Sequence, residues 1–163
     1  MKVYVMLLLL SATSVMAGLS KLEALSLIES GDNDSAVGGV GEVSRFQIKP
    51  AVWRQYTQSE DYNNSQIAAL VAEQHLRYLE GVFRRRTGRE PTDFDTYVLW
   101  NAGAGYYGRI DFSADRVHHR ISERANRYVN LRRMEMPPPA REPQRTEPTR
   151  VVVEFGESAP KKS

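Results

Sequence analysis

A glutamate at the end of an apolar helical stripe is the residue of this chain best suited to acid–base chemistry. Leu22, Leu25 and Glu29 are spaced at i, i+3 and i+7, so they share one face of a helix predicted from about Leu19 to Ser30. A carboxyl drawn toward the edge of a core is partly desolvated, which raises its pKa and suits it to general-acid chemistry. Taken alone, a glutamate at a helix end is usually a solvated side chain.

A second carboxylate, Glu42, follows a stretch rich in glycine. Residues 31–41 combine turn-forming Asp, Asn and Ser with four glycines, which end the helix and let backbone approach a ligand closely. Two carboxyl groups at one site can divide the chemistry, one as the acid and the other as a nucleophile or base. Two interpretations of Glu42 remain open. It is either such a partner of Glu29, or a turn residue that bonds a backbone N–H or pairs with Arg45.

Three short segments carry a pattern that is more specific together than apart. They are Ile28-Glu29-Ser30-Gly31, residues 41–50 with Gln47-Ile48 and Pro50, and residues 99–105 with Asn101-Ala102-Gly103. They resemble, in order, the Glu-Ser, Gly…Gln-Ile/Leu-x-Pro and Tyr-Asn-Ala-Gly-x-Gly segments of the soluble lytic transglycosylase domains, in the lysozyme-like superfamily. The resemblance covers about residues 19–110. It implies a mainly α fold with a small β or glycine-rich insertion, the α+β lysozyme-like fold.

The resemblance also implies an activity: cleavage of the β-1,4 bond between N-acetylmuramic acid and N-acetylglucosamine in peptidoglycan, without a cofactor or metal. Glu29 corresponds to the family's catalytic acid. The substrate-binding positions that it implies are Ser30, Gln47, Trp100, Asn101 and Tyr106. The implied partners are glycan strands rather than nucleic acid, and the protein is expected to be a monomer.

The chain departs from the family pattern at two positions. Trp100 replaces the usual tyrosine, which keeps an aromatic ring but removes a hydroxyl. Glu42 stands where a small residue is usual, five residues before Gln47, and this spacing resembles the animal-type lysozymes. A muramidase that uses Glu29 and Glu42 is therefore one alternative. An inactive glycan-binding module is another, although a pure binder does not require an acid at position 29.

Composition excludes several other kinds of site. The 163 residues contain no cysteine, which excludes disulfides, thiolate metal sites and cysteine nucleophiles. A formal charge of +2, from 22 basic and 20 acidic residues, is too balanced for a dedicated DNA-binding chain. Asp32 and Asp34 fit an ordinary turn better than a calcium loop. The three histidines (His75, His118 and His119) have no metal spacing and are predicted to be surface or half-buried residues.

The two ends of the chain differ in composition from its middle. Residues 1–17 have a positive start, an apolar run and small residues before Ala17, which is typical of a cleavable secretory signal. We therefore expect export to the periplasm or the extracellular space, with no membrane span after cleavage. Residues 134–163 hold six of the eight prolines and are predicted to be a disordered tail. The folded, catalytic domain is expected to be 18–133.

Capping signals divide that domain into helices. Asn64 is expected to cap a helix that ends near Gly88, and Thr92 to cap one that runs to about Asn101. Ser113 is expected to cap the last helix. The predicted inner stripe of the long helix is Ile67, Leu70, Val71, Gln74, Tyr78 and Val82. The arginines at its end (Arg84, Arg85, Arg86 and Arg89) are interpreted as a solvated helix terminus, with attraction to an anionic glycan as the alternative.

Overall fold

The computed structural model describes residues 18–134, and the predicted signal segment and nearly all of the predicted tail lie outside this range. The described chain is mainly α-helical, as predicted. A single 3₁₀ turn covers Ala114–Arg116. The helices are α1 Lys21–Ser30, α2 Pro50–Trp53, α3 Ser65–Thr87, α4 Asp93–Arg109 and α5 His119–Arg133. None of the helices in this part of the chain combines the length and apolar character needed to cross a membrane.

Helix α1 carries Glu29 at its C-terminal end. The Ser20 hydroxyl accepts a hydrogen bond from the Glu23 N–H and the Glu23 carboxylate accepts one from the Ser20 N–H, so the helix begins at Lys21. It ends where Gly31 adopts a left-handed conformation, with φ of 67°, that suits glycine. The predicted end at Ser30 is confirmed, and Leu25 is fully buried.

Helix α3 has the predicted ends but buries a different face. Asn64 accepts hydrogen bonds from the N–H groups of Gln66 and Ile67, and Gly88 closes the helix in the left-handed conformation. Of the predicted stripe, Leu70, Gln74 and Tyr78 are exposed, so that part of the prediction is wrong. The buried residues are Ala68, Val71, Ala72, Leu76, Leu79, Glu80 and Phe83. The prediction missed this face because Ala68 and Ala72 are fully buried, although alanines carry little weight in a hydrophobic pattern.

Helix α4 is longer than predicted and is kinked. Thr92 caps the helix, as predicted, in a capping box with Asp95. Gly103 has φ of 78° and ψ of 158°, values outside the helical range, and a second helical piece continues to Arg109. The predicted end near Asn101 therefore marks the kink rather than the end of the element. The kink places Asn101 and Gly103 at a turn of the backbone instead of on a continuous helix face.

Helix α5 begins later than predicted, and the role expected of Ser113 is wrong. Ser113 precedes the 3₁₀ turn, and its side chain makes no capping hydrogen bond. Val117 is extended, with ψ of 131°, and only 8% exposed, so burial of this side chain interrupts the helical path. α5 then starts after His118, whose backbone N–H donates to the Tyr106 hydroxyl at 2.9 Å.

Residues 31–49 form the small insertion that the sequence predicted, with very little β-structure. Two isolated antiparallel bridges join Val43 to Val37 and to Ile48. Arg45 pairs with Asp34 at 2.5 Å and with Asp32 at 2.8 Å. Both aspartates are therefore held by one guanidinium, which agrees with an ordinary turn. Tethered in this way, the insertion folds back beside the end of α1.

The hydrophobic core lies between these helices. α4 packs against α3 and α5, and α1 packs against α5 and α3. The largest fully buried side chains of the core are Trp53, Phe83, Tyr97, Tyr107 and Tyr128. Three of these are tyrosines, whose hydroxyl groups need partners when buried. The partner of Tyr97 is Glu29, which ties the core directly to the candidate site.

Candidate active site

A cavity of about 470 Å³ opens between the end of α1, the insertion, α3, the kink of α4 and α5. Five of the seven predicted site residues line it: Glu29, Glu42, Gln47, Trp100 and Asn101. They come from three separate segments of the chain. The structure therefore brings together residues that lie in three separate segments of the sequence.

Glu29 is held at this cavity by two donors from other helices. Its Oε1 accepts a hydrogen bond from the Tyr97 hydroxyl at 2.7 Å, and its Oε2 accepts one from Arg124 at 2.9 Å. The side chain is only 8% exposed. A carboxylate has about four acceptor positions, so these two bonds fix its orientation and leave room for a ligand.

Burial is the main influence on the protonation of Glu29. It raises the pKa of Glu29 above the ordinary 4.5, because the charged form is desolvated. The hydrogen bond from Tyr97 and the charge of Arg124 lower that pKa, and the negative charge of Glu42 raises it. The net shift is upward, which is the direction that a general acid requires.

Glu42 lines the same cavity, and the structure decides whether it pairs with Arg45. Arg45 is engaged with Asp32 and Asp34, not with Glu42. The Glu42 Oε2 accepts a hydrogen bond from the Val40 N–H at 3.3 Å. Glu42 thus bonds a backbone N–H within its turn and also faces the cavity, so both of its proposed roles remain compatible with its position.

Gln47, Trp100 and Asn101 form other parts of the wall. The Gln47 side-chain amide donates to the backbone carbonyls of Ser44 and Ala36, at 3.0 and 3.3 Å, which locks it in the insertion. The Trp100 ring meets His75 edge to face, with centroids 5.5 Å apart. Asn101 is exposed at the kink of α4. The wall therefore includes one aromatic ring and two side-chain amides.

Ser30 and Tyr106 are the two predicted site residues that do not line the cavity. The Ser30 hydroxyl donates to the Arg45 carbonyl at 2.8 Å and accepts from the Asn33 N–H at 3.0 Å. It therefore joins α1 to the insertion. The Tyr106 hydroxyl accepts from the His118 N–H. Both hydroxyl groups hold the backbone in place in this structure, and the predicted contact of these residues with a ligand stays a prediction.

Sequence reasoning did not assign four polar side chains to this site. Tyr97 and Arg124 bind the Glu29 carboxyl, and Lys49 and His75 line the cavity. His75 is half-buried, as predicted, and bonds the Tyr56 hydroxyl through Nδ1 at 3.1 Å. Burial lowers the pKa of His75, which keeps the ring neutral at neutral pH. Among residues 18–134, no three His, Cys, Asp or Glu side chains come together as metal ligands.

Tyr97 supplies a direct test of the electrostatics. In Tyr97→Phe the carboxylate of Glu29 loses a hydrogen bond that favours its charged form, so the pKa of Glu29 is expected to rise further. Carboxyl ¹³C NMR titration should place the midpoint of Glu29 at a higher pH than in the wild type. Tyr107→Phe is the matched control, because Tyr107 bonds Asp95 instead. An unchanged or lower midpoint in Tyr97→Phe would contradict this account.

Comparison of the chain with protein-family models, with curated proteins and with solved structures finds no match.

Proposed function

We propose that this protein is an exported peptidoglycan lytic transglycosylase with a lysozyme-like fold, and that Glu29 is its acid and base. The observation that carries the proposal is the Glu29 carboxyl, 8% exposed at the cavity and oriented by Tyr97 and Arg124. The segment resemblance supplies the substrate class. The mainly α architecture with its glycine-rich insertion is compatible with the proposed fold.

Glu29 acts twice in the proposed reaction. Its carboxyl proton passes to the oxygen of the β-1,4 bond between N-acetylmuramic acid and N-acetylglucosamine, the bond from C1 to that oxygen breaks, and an oxocarbenium-like centre develops at C1. The Glu29 carboxylate then takes the proton of the muramic C6 hydroxyl. The C6 oxygen bonds to C1 and closes a 1,6-anhydro ring. The proton count balances and no water is consumed.

Tyr97 and Arg124 suit the intermediate stage of this cycle. Both donate hydrogen bonds to the Glu29 carboxyl, and such bonds are stronger to the ionised form. They are already in place before the proton leaves, so they stabilise the carboxylate without reorganisation. Burial opposes ionisation and so favours the protonated form, which is the form that the first step requires. The two influences together suit a group that must give up a proton and then take one back.

The residues of the cavity wall support the proposal of a sugar ligand. Ligand sites commonly combine an apolar or aromatic surface with a few polar groups that fix orientation. Trp100 supplies the aromatic surface, and Asn101 and Gln47 carry amides beside it. The Gln47 amide nitrogen is committed to the insertion, so its carbonyl oxygen is the group left for a ligand.

A muramidase is the second candidate, because Glu42 lines the same cavity as Glu29. In that reaction Glu42 would stabilise the cation or activate water, and the products would have reducing ends. A transglycosylase needs one carboxyl, since its nucleophile is the substrate's own hydroxyl. The role of Glu42 therefore separates the two reactions.

Substitution of Glu42 measures that role. On the transglycosylase proposal, Glu42→Ala should cost less than about tenfold in rate, under about 1.4 kcal/mol of transition-state stabilisation. Glu42→Gln is the matched control, because it keeps an acceptor for the Val40 N–H and removes only the charge. A loss beyond about a hundredfold in both variants would favour the muramidase.

The chemical form of the products tests the proposal as a whole. Purified murein is digested with the full-length protein, and the released fragments are examined by mass spectrometry. Anhydro ends are the expected result. Reducing ends would replace the proposal by the muramidase, and no release at all would leave a glycan-binding module.

A further inference from the structure

Arg124 lies between two cavities. On one side it meets Glu29 in the cavity described above. On the other it lines a groove of about 700 Å³ between α1 and α5. The groove is lined by Leu27, Ile28, Arg124, Arg127, Asn130 and Leu131. Ile28 and Glu29 are consecutive in the chain, so the two cavities are close neighbours joined by one guanidinium.

The groove combines two guanidinium groups with an amide and apolar side chains. Both hydrogen bonds that Arg124 makes within the described chain come from Nη2, to the Ile28 carbonyl at 3.2 Å and to Glu29 Oε2 at 2.9 Å. Nε and Nη1 therefore remain for a ligand. Arg127 is exposed and forms no ion pair with residues 18–134. Nε and Nη1 of Arg124 do not share an edge of the guanidinium, so each can donate only a single hydrogen bond, whereas Arg127 offers the paired geometry in which guanidinium groups bind carboxylates. The groove therefore has the chemistry of a carboxylate site.

We propose that the groove between α1 and α5 binds a carboxylate-bearing peptide, and that this peptide is the stem carried by the glycan strand. The second clause rests on the proposed function. The stem is attached to muramic acid, the sugar that the reaction cleaves, so it leaves the strand beside the first cavity. It combines several carboxylates with small apolar alanine side chains. Arg124 and Arg127 match the carboxylates, and Leu27, Ile28 and Leu131 match the apolar part.

A peptide in the groove would act on Glu29 through Arg124. The groups that face Glu29 are Tyr97 from α4, Arg124 from α5 and Glu42 from the insertion, with Lys49 and His75 in the same cavity. A carboxylate in the groove shares the positive charge of Arg124 with Glu29, while the bond from Nη2 to Glu29 stays in place. The second negative charge near Arg124 favours the protonated form of Glu29, which is the form that donates the proton. Occupation of the groove therefore prepares the acid.

Binding of a free stem peptide tests this without any cleavage. The probe is the tetrapeptide released from murein, L-Ala–γ-D-Glu–diaminopimelate–D-Ala, titrated into the full-length protein by calorimetry. Saturable binding is expected, and Arg127→Gln should weaken it by about tenfold or more. Arg120→Gln removes the same charge from the exposed face of α5 outside both cavities, and its affinity should stay within about twofold of the wild type.

Glu29→Gln gives a second readout, and Glu23→Gln, which removes the same charge from an exposed position of α1, is the control for general charge attraction and should leave the affinity within about twofold of the wild type. Glu29→Gln frees Arg124 from a carboxylate, so the peptide should bind more tightly, by about threefold or more. Three outcomes would overturn the proposal. The wild type and Arg127→Gln bind the peptide with equal affinity, a peptide with amidated carboxyls binds as well as the free acid, or no saturable binding is seen. Tighter binding of a synthetic peptide of residues 150–158 than of the stem would overturn the stem as occupant and point to that segment of this chain.

The binding experiment and the product experiment can fail independently of each other. Release of anhydro products without peptide binding would refute the groove proposal alone. Binding of the stem peptide with no release from murein would refute the activity and leave an acidic-peptide site beside a glycan cavity.

Discussion

Replacing Glu29 with glutamine is expected to abolish the release of soluble fragments from murein, with a loss of about 10²–10⁴-fold or more. Glutamine keeps the size of the side chain and an oxygen that accepts the Tyr97 hydrogen bond. It has no proton to give to the glycosidic oxygen and no carboxylate to take one back. Both halves of the proposed reaction therefore fail together. The measurement is the initial rate of turbidity loss of a cell-wall suspension.

Glu23→Gln is the matched control for this result. Glu23 lies on the same helix, is exposed, and acts only in the capping box with Ser20. Its substitution should leave the rate within about twofold of the wild type. Thermal unfolding of Glu29→Gln should remain cooperative, which shows that the loss is chemical. A Glu29→Gln variant with more than about half the wild-type rate would remove Glu29 as the acid.

Replacing Asp95 with alanine is expected to give a large loss of stability. Asp95 is 2% exposed and accepts hydrogen bonds from Arg89, Tyr107 and Thr92 at 2.6–3.1 Å. Although burial opposes ionisation, these bonds hold the pKa of Asp95 below its ordinary value. Removing the carboxylate leaves the buried Tyr107 hydroxyl without a partner and removes the capping box and the ion pair with Arg89, at about 2–4 kcal/mol in total. The melting temperature should fall by about 10 °C or more.

Asp93→Ala is the control for the Asp95 prediction. Asp93 lies two residues earlier on α4, is 30% exposed, and pairs with Arg132 at 3.3 Å. Partly exposed pairs contribute about 1 kcal/mol or less, so the melting temperature should change by a few degrees only. Similar losses of melting temperature in both variants would show that the hydrogen bonds of Asp95 do not stabilise the fold more than the Asp93–Arg132 pair does.

Local signals in the sequence predicted the elements that are determined locally. Asn64, the capping box at Thr92 and Gly31 each set a helix boundary through contacts within a few residues. The position of Glu29 followed from the stripe of α1 in the same way. Ser113 misled because a capping residue type does not fix a helix start when a nearby side chain, here Val117, is buried in an extended conformation.

The partners of Glu29 could not be predicted by such signals. Tyr97 is 68 positions away from Glu29 along the chain, and Arg124 is 95 positions away. Neither residue lies in the three segments that guided the sequence interpretation. Their approach depends on how α1, α4 and α5 pack. The buried face of α3 was mispredicted for a related reason, because packing of Ala68 and Ala72 outweighed the larger but exposed Leu70 and Tyr78.

The kink at Gly103 gives the cavity wall a second set of polar groups. An α-helix that is interrupted ends and begins again, and each terminus leaves backbone carbonyl or N–H groups without intrahelical partners. Ala102 and Gly103 line the cavity at this interruption. On the proposed function, the peptide groups here are expected to bind hydroxyl and acetamido groups of the sugar. Such recognition does not titrate with pH, and it persists when neighbouring side chains are truncated to alanine.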